Sequence, residues 1–249
     1  PLLPCGVLPE RCLNRVGRLI SKSPAESRWV DLVPAQRHVR YQQVALTLDA
    51  QGGLAGKVHE EHGGYAGTDA RQELASLGEK KYLARLAQRH ESWSLTKQAV
   101  SHAEAVAQPL AVDYEFSQPA DEKSTAGTLY LSPLSDFGGG QNPFQRETRS
   151  FAVDFGTPQE ETLVATLALP AGYELAEVPK PAVLNLPNNG GRFLYNVTLT
   201  GPTTVLLNSR LVLSNTVYTA EEYAGLRELY RRLLAHQSEK LIIQKKKSG

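Results

Sequence analysis

Alternation of apolar and polar positions with period two dominates the chain. Val44, Leu46 and Leu48 alternate with Ala45, Thr47 and Asp49, and after Gln51-Gly52-Gly53 the pattern resumes with Leu54, Gly56 and Val58. Two alternating runs separated by a short Gly-bearing loop predict a β-hairpin. Leu110, Val112, Tyr114 and Phe116 alternate with Ala111, Asp113 and Glu115, and Phe151, Val153 and Phe155 alternate with Ala152 and Asp154. Each predicts a half-buried strand. Further strands are predicted at Leu163–Leu169, at Arg192–Leu199 with Phe193, Tyr195, Val197 and Leu199 on one face, and at Val205–Leu213. Asn188-Asn189-Gly190-Gly191 tolerates positive φ and is expected to close a hairpin between Pro181–Leu186 and Arg192–Leu199.

Two segments change to the helical period. Near 68–90, Asp69 followed by Gln72 resembles a capped start, and Leu74, Leu77, Leu83 and Leu86 follow at helical spacings, with Gly78 expected to kink or divide the segment. Near 220–236, Thr219-Ala220-Glu221-Glu222 forms a capping box ahead of a stripe of Tyr223, Leu226, Tyr230 and Leu233. The order is strands, helix, many strands, helix, strand, without the regular βαβα alternation of a doubly wound sheet. The predicted fold class is therefore α+β and mostly β, an antiparallel β-sandwich-like arrangement with helices at an edge or on one outer face. Leu2–Ile20 is rich in Pro, Gly and Arg, and Trp29–Pro34 reads as one short strand, which places a boundary near Arg40 and divides the chain into 1–40 and 41–249.

Composition narrows the functional classes. With 41% hydrophobic residues in 249, the chain can bury one large core or two smaller ones. No run approaches the roughly 18 to 20 apolar residues of a membrane span. Net charge is +1, and a division after Thr125 leaves neither part basic, so nucleic acid is not an expected partner. Lys245-Lys246-Lys247 reads as a frayed, solvated tail. There is no methionine, and the chain starts at Pro1, so it is expected to be a processed product or a segment of something longer. Cys5 and Cys12 are too few for a disulfide framework or a structural zinc site. Free, buried thiols are the expected state, and a Cys5–Cys12 bridge stays open if the parent protein is exported.

None of the motifs assembles a reaction centre. His59-Glu60-Glu61-His62 resembles a metal cluster, but on a strand positions 59 and 62 face opposite sides, so no metal is expected there. The other histidines, His38, His90, His102 and His236, are scattered, and none stands at a recognisable spacing from a carboxylate. Gly138-Gly139-Gly140 is followed by Gln141-Asn142-Pro143 and lacks the Lys-Ser or Lys-Thr of a phosphate loop, so it reads as a mobile connector. Glu160, Glu161, Asp113 and Glu115 are assigned to solvated outward faces. Cys12, flanked by Arg11 and Arg15, is the sharpest candidate nucleophile, yet no helix start follows it, since Asn14, Val16, Gly17 and Leu19 suggest loop and strand. Asn196-Val197-Thr198 matches a glycosylation sequon but falls within a predicted strand. Trp29, Trp93 and the tyrosines are candidates for an aromatic binding patch, with core placement the better expectation for any one of them.

Several phrases resemble one family as a set: Leu8-Pro9-Glu10-Arg11-Cys12-Leu13-Asn14 with Gly17-Arg18-Leu19, Trp29-Val30-Asp31-Leu32, Val153-Asp154-Phe155-Gly156, Leu186–Gly191 with Tyr195-Asn196-Val197, and the Glu221-Glu222-Tyr223 helix start. They are similar to the C-terminal region of bacterial transglutaminase-like proteins, in which a papain-like core lies between β-rich domains of unknown function. The resemblance implies that the catalytic Cys, His and Asp lie before the segment resembling Leu8–Leu19, so none carries over to this chain, and Cys12 does not match the nucleophile. It implies that residues 1–40 are the tail of the core or the connection from it, and that 41–249 form the accessory region. It further implies a periplasmic or cell-surface setting, in which a Cys5–Cys12 bridge becomes less implausible. The functional expectation is a non-catalytic module, without cofactor, that packs on the core of its own parent chain and binds protein or glycan. The alternatives are an independent hydrolase or acyltransferase using Cys12, and a purely structural spacer.

Overall fold

The computed structural model describes residues 2–90, 92–120, 127–138 and 140–246. In chain order its elements are β1 (Arg15–Leu19), β2 (Arg28–Leu32), β3 (His38–Leu48), β4 (Leu54–Gly63), α1 (Gly64–Leu77), α2 (Glu79–Arg89), β5 (Ser94–Ser101), β6 (Leu110–Gln118), β7 (Thr128–Leu131) and β8 (Val153–Asp154). They continue as β9 (Gln159–Ala168), β10 (Tyr173–Leu175), β11 (Ala182–Asn185), β12 (Gly191–Leu199), β13 (Thr204–Leu213), β14 (Val217–Tyr218), α3 (Tyr223–Gln237) and β15 (Leu241–Lys245).

Eight strands form one open sheet in the order β11-β12-β13-β9-β3-β4-β6-β5. The β3–β4 hairpin forms as its alternation predicts, and Asp49 closes the turn by accepting bonds from the Gln51 and Gly53 amides. The β11–β12 hairpin also forms, with Asn188 and Asn189 at φ 53° and 55°. The sheet is mostly antiparallel, as expected, with one parallel pairing: β3 and β9 run parallel from His38↔Gln159 to Thr47↔Ala168. Period-two alternation reports which face a residue occupies and carries no information on strand direction. Neither end of the sheet closes on the other. At one edge β5 is disrupted by a bulge between Thr96 and Ala99, and at the other β11 is short, features that discourage edge-to-edge pairing.

All three helices cover the same face of the sheet, the one bearing Val44, Leu46, Leu163, Leu211 and Phe193. A three-stranded sheet, β10-β15-β7, contributes Tyr173, Leu129, Leu241 and Ile243 to the same interior. The fold is thus mostly β, with three helices and several sheets around a common core. Trp93 and Phe116 stack in that core with ring centroids 3.8 Å apart. Gly56, opposite Phe116, is small because a Cβ there would lie 2.2 Å from the Phe116 ring.

Several expectations are corrected. The first helical segment divides at Gly78 (φ +76°) as anticipated, but α1 starts at Gly64, five residues before Asp69, and no side chain caps it. Gly67 lets the helix start press onto the end of β4, where a Cβ would come within 2.6 Å of the His62 carbonyl. The predicted strand Phe151–Phe155 shrinks to Val153-Asp154, paired with Val217-Tyr218, and Phe151 is exposed. Leu199 is the last residue of β12 and is also exposed, unlike Phe193, Tyr195 and Val197. The Lys245-Lys246 stretch is no loose tail: Lys245 ends the central strand of the small sheet, and Lys246 N–H bonds to the Gly172 carbonyl. Lys247 lies outside the described residues.

Candidate functional site

The segment before β1 is fastened to the body of the molecule. Leu13 is buried, Tyr65 donates to the Leu8 carbonyl at 2.9 Å, and Asn14 Nδ2 donates to Asp154 Oδ1 at 2.9 Å and to the Gly156 carbonyl at 3.0 Å. Two phrases of the sequence that lie some 140 positions apart, Glu10–Asn14 and Asp154–Gly156, therefore meet in space. Asn14 adopts φ 56°, a conformation that Asn tolerates better than most residues.

Beyond this fastening, β1 and β2 pair only with each other. Val16 and Arg18 share one face with Asp31 and Trp29, and Ile20 and Val33 continue the alternation just past the strand ends. The four apolar members of this face are bare, with exposures of 58% (Val16), 76% (Ile20), 65% (Trp29) and 68% (Val33). The Arg18 guanidinium lies over the Trp29 ring, 5.4 Å from its centroid. Isolated hydrophobes on a surface are ordinary, whereas here four share one face of a two-stranded sheet.

A second feature lies between the sheet and α1–α2, where a solvent-open cleft of about 230 Å³ is lined by His38, Arg40, Glu60, His62, Asp69 and Arg85, with Ala66, Ala70 and Leu86 as its apolar wall. Strand register explains the convergence, because Arg40 is the cross-strand partner of His62 and Gln42 that of Glu60. Buried Glu60 accepts hydrogen bonds at Oε1 from Tyr114 (2.9 Å) and Gln42 (3.1 Å), while its Oε2 stands 3.7 Å from His62 Nε2. His62, Tyr114 and Arg40 outweigh the cost of burial and hold the Glu60 carboxyl below the usual carboxylate range. His38 Nε2 is 3.7 Å from Asp69 Oδ2, and His38 Nδ1 is buried without a hydrogen-bond partner among the described residues. Burial, then the charges of Arg40 and His62, push His38 down to about 4. Burial raises the Asp69 carboxyl.

The other candidates from sequence fall as follows. His59 and His62 do face opposite sides of β4, and among the described residues no three His, Cys, Asp or Glu side chains are placed to share a metal ion. Histidine–carboxylate pairs form here without a recognisable sequence spacing. On the outer face, His59 Nδ1 meets Asp113 at 2.8 Å and its Nε2 meets Glu61 at 3.2 Å, and these partners, Asp113 foremost, raise its pKa. Asp113 and Glu61 come from different strands or from i+2 positions, spacings that no helical motif displays. Glu115 is bound by Lys97 and Lys57, and Glu160 by Arg210, so these acids are outward but paired. Glu161 is different: its register with Arg40 puts it on the helix-covered face.

Cys5 and Cys12 are both free, exposed and half-buried respectively, rather than core thiols. Among the described residues Cys12 has no hydrogen-bonded histidine. Gly138 packs against Gln237, whereas Gly139 lies outside the described residues. Asn196 is exposed on β12 and donates to Thr198 Oγ1 at 3.0 Å. Trp93 is core and Trp29 is surface. The cleft was legible in principle. His38, Arg40 and Gln42 share parity with inward-facing Val44, Leu46 and Leu48, and Glu60 and His62 share it with Leu54 and Val58, so the alternation itself puts five polar side chains on an inward face.

With this geometry in place, comparison with known proteins finds a likeness for four of the eight strands of the large sheet. Residues 127–243 match a domain of unknown function with solved structure, DUF3858. The DUF3858 segment runs from the start of β7 into β15 and so includes α3, while the hairpin β1–β2 and the cleft are built by residues that precede it. No curated protein matches the chain. Among solved structures, a "putative protease" from Parabacteroides distasonis is similar at 17% identity with a TM-score of 0.42, over 49% of this chain and 24% of that one. The chain thus spans about a quarter of that protein's length. No helix of the described residues is long and apolar enough to cross a membrane.

Proposed function

We propose that this chain is a non-catalytic accessory module of a transglutaminase-like protein, set in the periplasm or at the cell surface, that packs against the core of its own parent through the β1–β2 hairpin. The observation that carries this reading is the bare apolar face of Val16, Ile20, Trp29 and Val33, on a hairpin whose root is fixed to the module by Asn14 and Leu13. A two-stranded sheet is marginal in water, and a rigidly rooted one with an exposed Trp gains stability when a partner covers it. The reading is also supported by the family phrases quoted from the sequence, two of which, Glu10–Asn14 and Asp154–Gly156, form that root. Binding of protein or glycan by the module as a whole belongs to the same reading.

The test has two steps. The coding sequence upstream of Pro1 should encode the Cys, His and Asp of a transglutaminase-like core. In the full-length parent, the β1–β2 amides should exchange with solvent at least tenfold more slowly than in the present chain alone, and Trp29→Ser combined with Ile20→Ser should remove the difference. An upstream sequence without that triad, or hairpin amides that exchange alike in both proteins, overturns the reading.

A further inference from the structure

The cleft between β3–β4 and α1–α2 holds charges with unused hydrogen-bonding capacity. Arg40 is half-buried, yet its guanidinium makes no hydrogen bond and no ion pair within 4 Å to any described residue. A guanidinium is a rigid fork of five donors, and leaving it unpaired at a partly desolvated position is costly. On the facing strand, Glu60 has spent Oε1 on Tyr114 and Gln42, while Oε2 accepts no hydrogen bond within 3.5 Å from a described residue, and His62 Nε2 stands 3.7 Å from it. Asp69 stands on the rim, 3.7 Å from His38 Nε2. Arg85 is not available, since Glu73 holds it.

An open cationic fork beside an open carboxylate oxygen fits a ligand that carries both charges. An anion alone would meet Glu60, Asp69 and Glu73, and a cation alone would leave Arg40 unpaired. The free space of about 230 Å³ is below the roughly 300 to 1,000 Å³ of pockets for drug-sized ligands. Ala66 and Ala70, short side chains on α1, leave that space open, and Leu86 gives it an apolar wall.

We propose that this cleft binds a free α-amino acid with an apolar side chain. Its carboxylate lies on Arg40, its ammonium on Glu60 Oε2 and Asp69, and its side chain against Ala66, Ala70 and Leu86. Bidentate Arg–carboxylate pairing and a charge-assisted bond to a buried carboxylate are the strong members of their class, which makes the recognition depend on both ends of the ligand. The site is independent of the hairpin and of the module's attachment to a core.

The test uses three ligands that differ in one charge each: L-leucine, N-acetyl-L-leucine, which lacks the ammonium, and L-leucinamide, which lacks the carboxylate. Titrated into the chain and followed by amide chemical shifts, leucine should move residues 38–42, 60–66 and 69–73, and each capped analogue should bind at least tenfold more weakly. Arg40→Gln should abolish leucine binding while the thermal midpoint reports that the fold is kept. If that variant does not fold, the capped analogues on the unmodified chain decide alone. Absence of leucine binding up to about 10 mM, equal binding of a capped analogue, or shifts confined to other parts of the molecule overturns the proposal.

Discussion

His38 is the side chain whose protonation most clearly couples to folding. Burial first, and Arg40 and His62 next, push its pKa from 6.5 down to about 4, against a smaller raising effect of its own backbone. Because the folded-state value is the lower one, the unfolded chain takes up a proton between pH 6.5 and 4 that the folded chain does not. Stability present above pH 6.5 is therefore lost as pH falls towards 4, by about 3 kcal/mol at most. Asp69 and Glu10 have raised values and act in the opposite sense, favouring the folded state at acid pH, so they offset part of the loss at the lower end of that window. Denaturant midpoints at pH 7 and pH 5 should differ for the unmodified chain, and His38→Gln should reduce that difference; a pH dependence unchanged in the variant would show that His38 titrates normally. Arg71 makes a related point about what sequence reveals. It is buried and donates to the carbonyls of His102, Ala103, Ala105 and Gln108, pinning that loop to α1. Nothing near Arg71 in sequence distinguishes it from a solvated helix charge, because its partners lie some thirty residues on and are backbone atoms.

Elements were legible where their cause is local. The turn that leads into α3 closes as the capping box predicts: Thr219 N–H donates to Glu222 Oε2 at 2.8 Å, and Glu222 N–H donates to Thr219 Oγ1 at 3.4 Å, directly before the helix starts at Tyr223. Hairpin turns at Asp49–Gly53 and Asn188–Gly191 were legible for the same reason, since the residues that need special φ or accept turn hydrogen bonds are the ones that bend the chain. The α1 start was not, because it depends on contact. Gly63 at the N-cap has no side chain to accept a cap hydrogen bond, and the helix begins at Gly64 because Tyr65, Ala66, Ala70 and Arg71 are buried against the rest of the fold. Strands β7 and β10 were also missed; they are three or four residues long and exist by pairing with β15. The capping box gives a direct test. Thr219→Ala should cost about 1 kcal/mol, which corresponds to a thermal midpoint about 2 to 4 °C lower for a protein of this size. A midpoint unchanged within error would mean that the buried stripe of Tyr223, Leu226, Leu229 and Leu233 holds the helix end without the cap.

At the scale of the whole molecule, the sheet is two antiparallel groups of four, β3-β4-β6-β5 from residues 38–118 and β11-β12-β13-β9 from residues 159–213, joined by the parallel β3–β9 seam. That seam joins the part preceding DUF3858 to the part matching it, and no local pattern could have announced it. The hairpin β1–β2 stands outside this construction. Asn14 is the joint: its side chain reaches Asp154 and Gly156 beside the first residues of β9, and its backbone N–H bonds to the Leu32 carbonyl, so it belongs to the hairpin and to the body at once. Since local openings proceed from the most weakly held unit, removing this tie should free the hairpin without loosening the sheet. Asn14→Gly is the suitable change, because Gly accepts the φ of 56° and only the side-chain bonds are lost. In that variant the β1–β2 amides should exchange at least tenfold faster, with β3 and β9 amides unchanged and the thermal midpoint moved by no more than about 2 to 4 °C, the shift expected for about 1 kcal/mol. Faster exchange across β3 and β9 as well would show that the hairpin is an integral part of the fold, and the body would then depend on the segment that the proposed function assigns to presenting a surface.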